Sequence, residues 1–262
     1  MCTVTFIARR RGYCLGMNRD ETLIRPAGLP PKRKVVEGRV VLCPSEPGGG
    51  TWIALNDRGA CLALINWYAV AARIVRGAIS RGEVVKTVSG AGSPGSADAA
   101  LRKLPLGHIN PFRLVGVFLE TREVVEWRWN LKALTVKNHR WRTQQWISSG
   151  YDEPVAQQVR GKTFKQAFHQ RSAGRLAWLR RLHHSHSPKS GPFSICMHRK
   201  DAATVSYTEV AVFPKQAKMC YHCGAPCRPS KHYVRYVHLQ RPTLVNQSRS
   251  AKLLTEMPTM LV

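Results

Sequence analysis

"MCTVTFI" at residues 1–7 and "MNRDE" at residues 17–21 are the two stretches on which the reading of this chain turns. Residues 2–8 have the β-branched and aromatic content of a strand, "RRRG" reads as a tight turn, and "YCLGMN" reads as the returning partner. A hairpin of this kind carries residue 2 back beside residues 17–20. Cys2 directly follows the initiator methionine, and its small side chain allows an aminopeptidase to remove Met1. The mature chain would then hold a thiol and a free α-amine on one residue, which is a nucleophile joined to its own base.

At 262 residues with 44% hydrophobic content, the chain is long enough to bury one substantial core. Its 41 Lys and Arg against 15 Asp and Glu leave a formal charge of +26, so its surface attracts polyanions: nucleic acid, anionic lipid or acidic metabolites. The first twenty residues alternate apolar and polar positions and contain no continuous apolar core of a signal peptide. The longest apolar stretch, "CLALINWYAVAARIV", is interrupted by Asn66 and Arg73 and is too short to span a bilayer. The expectation is a soluble, cytoplasmic protein. Cys2, Cys14, Cys43, Cys61 and Cys196 lie scattered in apolar segments without framework spacing, as buried reduced thiols do.

Further along, "RPAGLPPKRK" reads as a proline-rich loop, and "TWIALNDRGACLALINW" as a hairpin turning at Asn56–Gly59, with Asn66 at the far end of its second strand. "SRGEVVKTV" and "SADAALRKL" read as helices, the second capped by Ser96. "FRLVGVFLETREVVEWRWN" is a third hairpin. Pro154 to Arg181 carries apolar residues at helical spacing, broken near Ser172–Gly174 into two helices. "PFSICMHRKDAATVSYTEVAVF" reads as a last hairpin. Paired strands at both ends with helices among them predict an α+β fold of two sheets with helices outside. From residue 215 the chain turns basic and aperiodic, which predicts a domain over 1–214 and a partly disordered extension over 215–262.

Taken together, "MCTVTFI", "MNRDE", "LPP", "GTWIALNDRGACLALIN", "NPFRLVGV", "SSGYDEP" and "CMHRKDAATVSYT" resemble the NRDE family, also called the transport and Golgi organization family. That family is similar in turn to the N-terminal nucleophile hydrolases of the penicillin V acylase and bile salt hydrolase type. The resemblance implies an αββα sandwich and cleavage of C–N amide bonds by a mature N-terminal cysteine, with no cofactor required. By it, Cys2 is the nucleophile, Asp20 holds its amine, and Asn66 contributes to an oxyanion hole. Two positions depart from the acylase pattern. Met17 stands where those enzymes carry an arginine, which leaves Arg19 as the nearest cation, and Ser149 falls near their second asparagine. Arg160 in "QQVRGKTF" is the candidate for their later arginine.

The chemistry of these residues is coherent. A cysteine thiol titrating near 8.5 is mostly protonated at neutral pH, an α-amine near 8 can take its proton, and a guanidinium favours the resulting anion. The alternative is that Cys2 is a small buried hydrophobe and that Arg19 and Asp20 form a structural ion pair. Asn66 has an equivalent alternative as a strand-end residue bonding local backbone. Asn18 and Glu21 read as turn or capping residues, with Asn18 kept as a tentative site position. Cys220, His222, Cys223 and Cys227 spell C-x-H-C-x3-C, half of a zinc pattern with no second pair in sight, and "HHSH" at residues 183–186 reads as a helix end, so no metal is expected. Trp127, Trp129, Trp141 and Trp146 among arginines suit base stacking or ligand cover, though aromatics on a sheet face more often form core. No nucleic-acid module is visible.

Three functions follow. The first is an amide hydrolase acting on a small molecule. The second, which the family resemblance implies as readily, is a non-enzymatic carrier of haem or a similar hydrophobic ligand, haem being cargo. The third is a basic binder of nucleic acid or an anionic membrane surface, resting mainly on the tail.

Overall fold

In a computed structural model, described over residues 2–240, the first hairpin is a pair of antiparallel strands, β1 (Cys2–Arg9) and β2 (Gly12–Thr22). Cys2 stands opposite Arg19 and Thr3 opposite Asn18. Gly12 begins the return at φ 124°, and a Cβ there would sit 2.0 Å from the Val212 carbonyl oxygen, so the position admits only glycine.

The chain continues through β3 (Leu29–Val36), β4 (Arg39–Ser45), β5 (Ile53–Asn56) and β6 (Ala60–Asn66), then α1 (Gly82–Val88) and α2 (Pro94–Arg102). Next come β7 (Phe112–Phe118), β8 (Glu123–Trp129), β9 (Leu134–His139), β10 (Gln144–Ser148), α3 (Glu153–Phe168) and α4 (Leu176–His184). The last described elements are β11 (Ala202–Val212), β12 (Gln216–Cys223) and β13 (His232–His238). One sheet has the order β10-β1-β2-β11-β12-β13, and the other runs β3 to β9 in sequence.

Strand alternation builds four layers from these two sheets. Val4, Phe6, Leu15, Met17 and Met219 point inward from the first sheet and meet Leu42, Ile53, Leu55, Val115 and Val117 of the second. The opposite faces are covered by helices. Val84, Val85, Val88, Ala97 and Leu101 of α1 and α2 pack on Leu62, Leu64, Leu114 and Trp127, while Trp178, Leu179 and Leu182 of α4 pack on Ile7, Cys14 and Ala211. The α+β architecture expected from the strand and helix order is the one found. Among the described residues no helix is long and apolar enough to cross a membrane.

Several local expectations are corrected. Residues 29–36 form an edge strand rather than a loop; Pro30 and Pro31 are tolerated there because an edge position leaves one side of the strand unpaired, and the register is irregular between Leu29 and Lys32. The cap of α2 is Ser93, not Ser96: Pro94 opens the helix, and Ser96 closes a reciprocal capping box with Ser93 three residues ahead. The expected last hairpin has one strand, β11, joined to the segment before it by a single bridge from His198 to Ala203. The boundary expected at residue 215 does not end the sandwich, since β12 and β13 extend the first sheet beyond β11. Basic composition concealed them because their outward residues face solvent. Residues 241–262 lie outside the described part. Trp127, Trp129 and Trp146 are buried and Trp141 packs against the inter-sheet core, so they are not a base-stacking surface.

A buried carboxylate joins the sheets at one end. Glu126 on β8 accepts hydrogen bonds from Arg113 at 2.6 Å and Arg128 at 2.8 Å and lies 2.9 Å from His139 Nε2. Arg113 also donates to the Ile147 carbonyl of the other sheet at 3.2 Å. Burial alone would raise the Glu126 pKa, but the bonds from His139, Arg128 and Arg113 hold it well below the usual carboxylate range. Its contribution to stability is therefore complete above the ordinary glutamate value near 4.3 and is lost as pH falls below it. Glu126→Gln is expected to lower unfolding free energy at pH 7 by about 3 kcal/mol, because two guanidinium groups lose their counterion. Urea denaturation measured from pH 7 to pH 3 should show the difference between the two proteins shrinking toward the acid end.

Candidate functional site

The alternation of β2 divides its Asn18-Arg19-Asp20 run between two faces. Arg19 points between the sheets with Met17, whereas Asn18 and Asp20 point toward the helices with Cys14. Asn18 is a clamp. Its amide donates to the carbonyls of His183 and Ile195, both at 2.9 Å, and its oxygen meets His183 Nδ1 at 3.0 Å. Burial, together with the charges of His184 and Arg160, pulls His183 down to about 3, so its ring stays neutral between Asn18 and Thr5. Asn18 therefore ties β2 to the end of α4, on the far side of the sheet from Cys2.

Asp20 is almost wholly buried. Arg160 of α3 donates to its Oδ2 at 3.1 Å and to Thr3 Oγ1 at 2.8 Å, and Thr204 Oγ1 donates to Asp20 Oδ1 at 2.7 Å. Thr204 lies beside a register shift in the β2–β11 ladder between Thr204 and Ser206. Arg160 reaches further, to the Pro192 carbonyl at 3.3 Å.

Cys2, 7% exposed, lines a cleft of about 330 Å³ together with Arg19, Asp20, Asn66, Trp52 and Arg81. Burial pushes the Cys2 thiol up and the Asp20 charge adds to this, while Arg19 and the Asp20 backbone act in the opposite direction. The guanidinium of Arg19 lies 4.5 Å over the Trp52 ring and pairs with Glu46 at 2.5 Å, so it is held against the second sheet. Asn66, at the end of β6, donates to the Tyr68 hydroxyl at 2.9 Å, and its carbonyl accepts from Ser148 Oγ at 2.6 Å.

Cys2, Arg19, Asp20 and Asn66, which the sequence nominated together, thus line one cleft. Arg160 joins them from behind through Asp20. Asn18 does not, and Ser149 is buried with its hydroxyl accepting from the Tyr151 N–H at 3.3 Å. The serine that touches the site is its neighbour Ser148, which pairs with Cys2 across the β1–β10 ladder. Glu21 lies at the rim; burial opposes its charge, yet the bond from Arg25 leaves its pKa lowered. Sequence reading missed Trp52 and Arg81. Arg81 donates to the Pro111 carbonyl at 3.3 Å and has no carboxylate partner among the described residues. Burial lowers its pKa, with Arg73 and Arg25 adding to the effect. Trp52 lies inside the "GTWIALN" motif but reads there only as part of a hairpin, and no motif marks Arg81; each sits in a loop just before a strand or helix.

The C-x-H-C-x3-C pattern of the tail does not converge. On β12 alternate residues face opposite sides, so Cys223 packs toward the inter-sheet core while Cys220 and His222 face the other way, Cys220 near Arg180 and Glu209.

The family model described as "Transport and Golgi organisation 2" matches residues 1–190. No curated protein matches the sequence. Among solved structures, the C2A mutant of the conjugated bile acid hydrolase from Clostridium perfringens is similar with a TM-score of 0.54 at 9% identity, covering 91% of this chain and 97% of that one. Penicillin V acylase from Agrobacterium tumefaciens is similar with a TM-score of 0.54 at 10% identity, covering 89% and 85%. At such identities the likeness is one of fold: the αββα sandwich of N-terminal nucleophile hydrolases.

Arg160→Met removes the cation from a carboxylate closed to solvent. The variant is expected to be less stable by about 3 kcal/mol in urea denaturation at pH 7, with Arg160→Lys recovering only part of the loss because a point charge cannot reach Thr3, Asp20 and Pro192 together.

Proposed function

Since the chain belongs to the Transport and Golgi organisation 2 family and has the sandwich of the N-terminal nucleophile hydrolases, we propose that it hydrolyses C–N amide bonds of a small molecule bearing an anionic group. The observation that carries this reading is the position of Cys2: the first residue of an interior strand, at the cleft, with Arg19 opposite it and the backbone of Asp20 bonded to its sulfur. Two structural neighbours bear the names hydrolase and acylase.

Once Met1 is removed, the α-amine of Cys2 takes the thiol proton and the thiolate attacks the amide carbonyl carbon. Burial makes the thiol a reluctant acid, and a base on the same residue answers that at no entropic cost. The carbonyl oxygen becomes an oxyanion, to which the Asn66 amide donates in place of its bond to Tyr68. Collapse of the tetrahedral intermediate breaks the C–N bond, and the ammonium of Cys2 returns its proton to the departing nitrogen. Water then hydrolyses the thioester, with the amine again acting as base, and frees the thiol. Asp20, fixed by Arg160 and Thr204, is the group that holds the amine. Arg81 is the cation available to a substrate carboxylate.

The same arginine and Trp52 suit a flat ligand with acidic groups, such as haem, held without reaction. The two readings separate on electrophile labelling. The mature protein, shown by intact mass to lack Met1, is expected to form a covalent adduct with an electrophilic amide probe at Cys2, and Cys2→Ala none. Asn66→Ala should keep probe binding and slow acylation by roughly 10²–10³-fold. Retention of Met1, or equal labelling of Cys2→Ala, overturns the hydrolase; haem binding that survives Cys2→Ala without any labelling gives the site to the carrier.

A further inference from the structure

We propose that His186, Cys196, His198 and Cys227 form a four-coordinate structural zinc site that clamps the segment supporting Asp20. Their ligand atoms all lie within 4.8 Å of one another, although the residues come from three separate parts of the chain. His186 follows α4, Cys196 and His198 precede β11, and Cys227 lies in the loop between β12 and β13.

The spacing of the donors is that of a coordination tetrahedron. With metal–nitrogen bonds of about 2.0–2.1 Å and metal–sulfur bonds of about 2.3 Å, tetrahedral edges are roughly 3.4 Å for two nitrogens and roughly 3.5 Å for nitrogen and sulfur. His186 Nε2 and His198 Nε2 are 3.2 Å apart, and His198 Nε2 lies 3.6 Å from Cys196 Sγ and 3.3 Å from Cys227 Sγ. Hydrogen bonding does not account for this convergence. A ring nitrogen carries one proton or one lone pair, so His198 Nε2 can satisfy one of these three neighbours and not all of them. A cation at the centre satisfies the four together. Two thiolates and two imidazoles in a closed tetrahedron select zinc among common divalent metals, and four protein ligands leave no open position for catalysis.

The ligand segments are held in place from outside the cluster. Cys196 N–H donates to the Ser185 carbonyl at 3.0 Å, Ser194 Oγ to the Cys196 carbonyl at 2.6 Å, and His198 N–H to the Gly191 carbonyl at 3.1 Å. Between two ligands, the Met197 N–H donates to Thr204 Oγ1 at 2.8 Å, and Thr204 in turn donates to Asp20. The metal would thus fix the loop on which the Asp20 carboxylate leans. The proposal does not depend on Cys2 being a nucleophile. It also revises the expectation of no metal, which considered the tail and the 183–186 run separately; the fold takes Cys227 from the first and His186 from the second.

The test is metal analysis of the full chain, expressed with zinc and purified under reducing conditions without chelator. About one zinc per chain is expected, retained by the double variant Cys220→Ser/Cys223→Ser and reduced to roughly a tenth or less in Cys196→Ser/Cys227→Ser. Should the latter fail to fold, cobalt substitution of the unmutated chain decides. Intense visible bands of tetrahedral Co²⁺ with thiolate charge transfer support the site, and weak octahedral bands overturn it. A zinc-free protein, a Cys196–Cys227 disulfide in the reduced preparation, or zinc lost on changing Cys220 and Cys223 would each overturn it as well.

Discussion

The Arg160 guanidinium and the Asp20 carboxylate meet 3.1 Å apart with neither side chain exposed. Two charges withdrawn from water at this depth need hydrogen bonds beyond their own attraction, and Thr3, Thr204 and Pro192 supply them, the Arg160 Nε alone of its nitrogens having no partner among the described residues. The pair fastens α3 to the centre of the first sheet. Through Thr3 it also fixes the strand that begins with Cys2, and through Thr204 the strand behind β2. The orientation of the cleft residues depends on this one junction, because β1 carries Cys2 and β2 carries Arg19 and Asp20.

How much of this was legible in the sequence differs by element. The first hairpin was readable because "RRRG" is an unambiguous reversal between apolar strands, and the Asn56–Gly59 turn was readable for the same reason. Strand β3 was hidden by its prolines, since local propensity speaks against a strand and only the edge position rescues it. Strands β12 and β13 were hidden by charge: their outward residues dominate the composition while Met219, Tyr221 and Val237 do the packing.

At the cleft, the residues carried by strands were found and those carried by loops were not. Cys2, Arg19, Asp20 and Asn66 follow from hairpin pairing and the family motifs. Arg81 and Trp52 depend on how loops fold over the sheet ends, which no period of the sequence encodes. Asn18 illustrates the opposite error. It sits in the most recognisable motif of the chain, yet alternation turns it to the helix side, where it holds His183 and Ile195. Ser149 missed by one residue for the same geometric reason, because neighbouring residues of an extended segment point to opposite sides.

The two sheets differ in how the chain supplies them. The seven-stranded sheet uses contiguous residues, 29–139, in simple succession, so each new strand finds its partner already adjacent. The six-stranded sheet joins segments far apart in sequence: β2 pairs with β11 some two hundred positions later, and β1 pairs with β10. Long-range closure of that kind is slow compared with local pairing. On a ribosome the meander can form early, while the amino-terminal hairpin waits with one edge bare until β11 emerges. The sheet that carries Cys2 is accordingly completed after the meander, and a nascent chain lacking its final third holds only β10, β1 and β2 of that sheet.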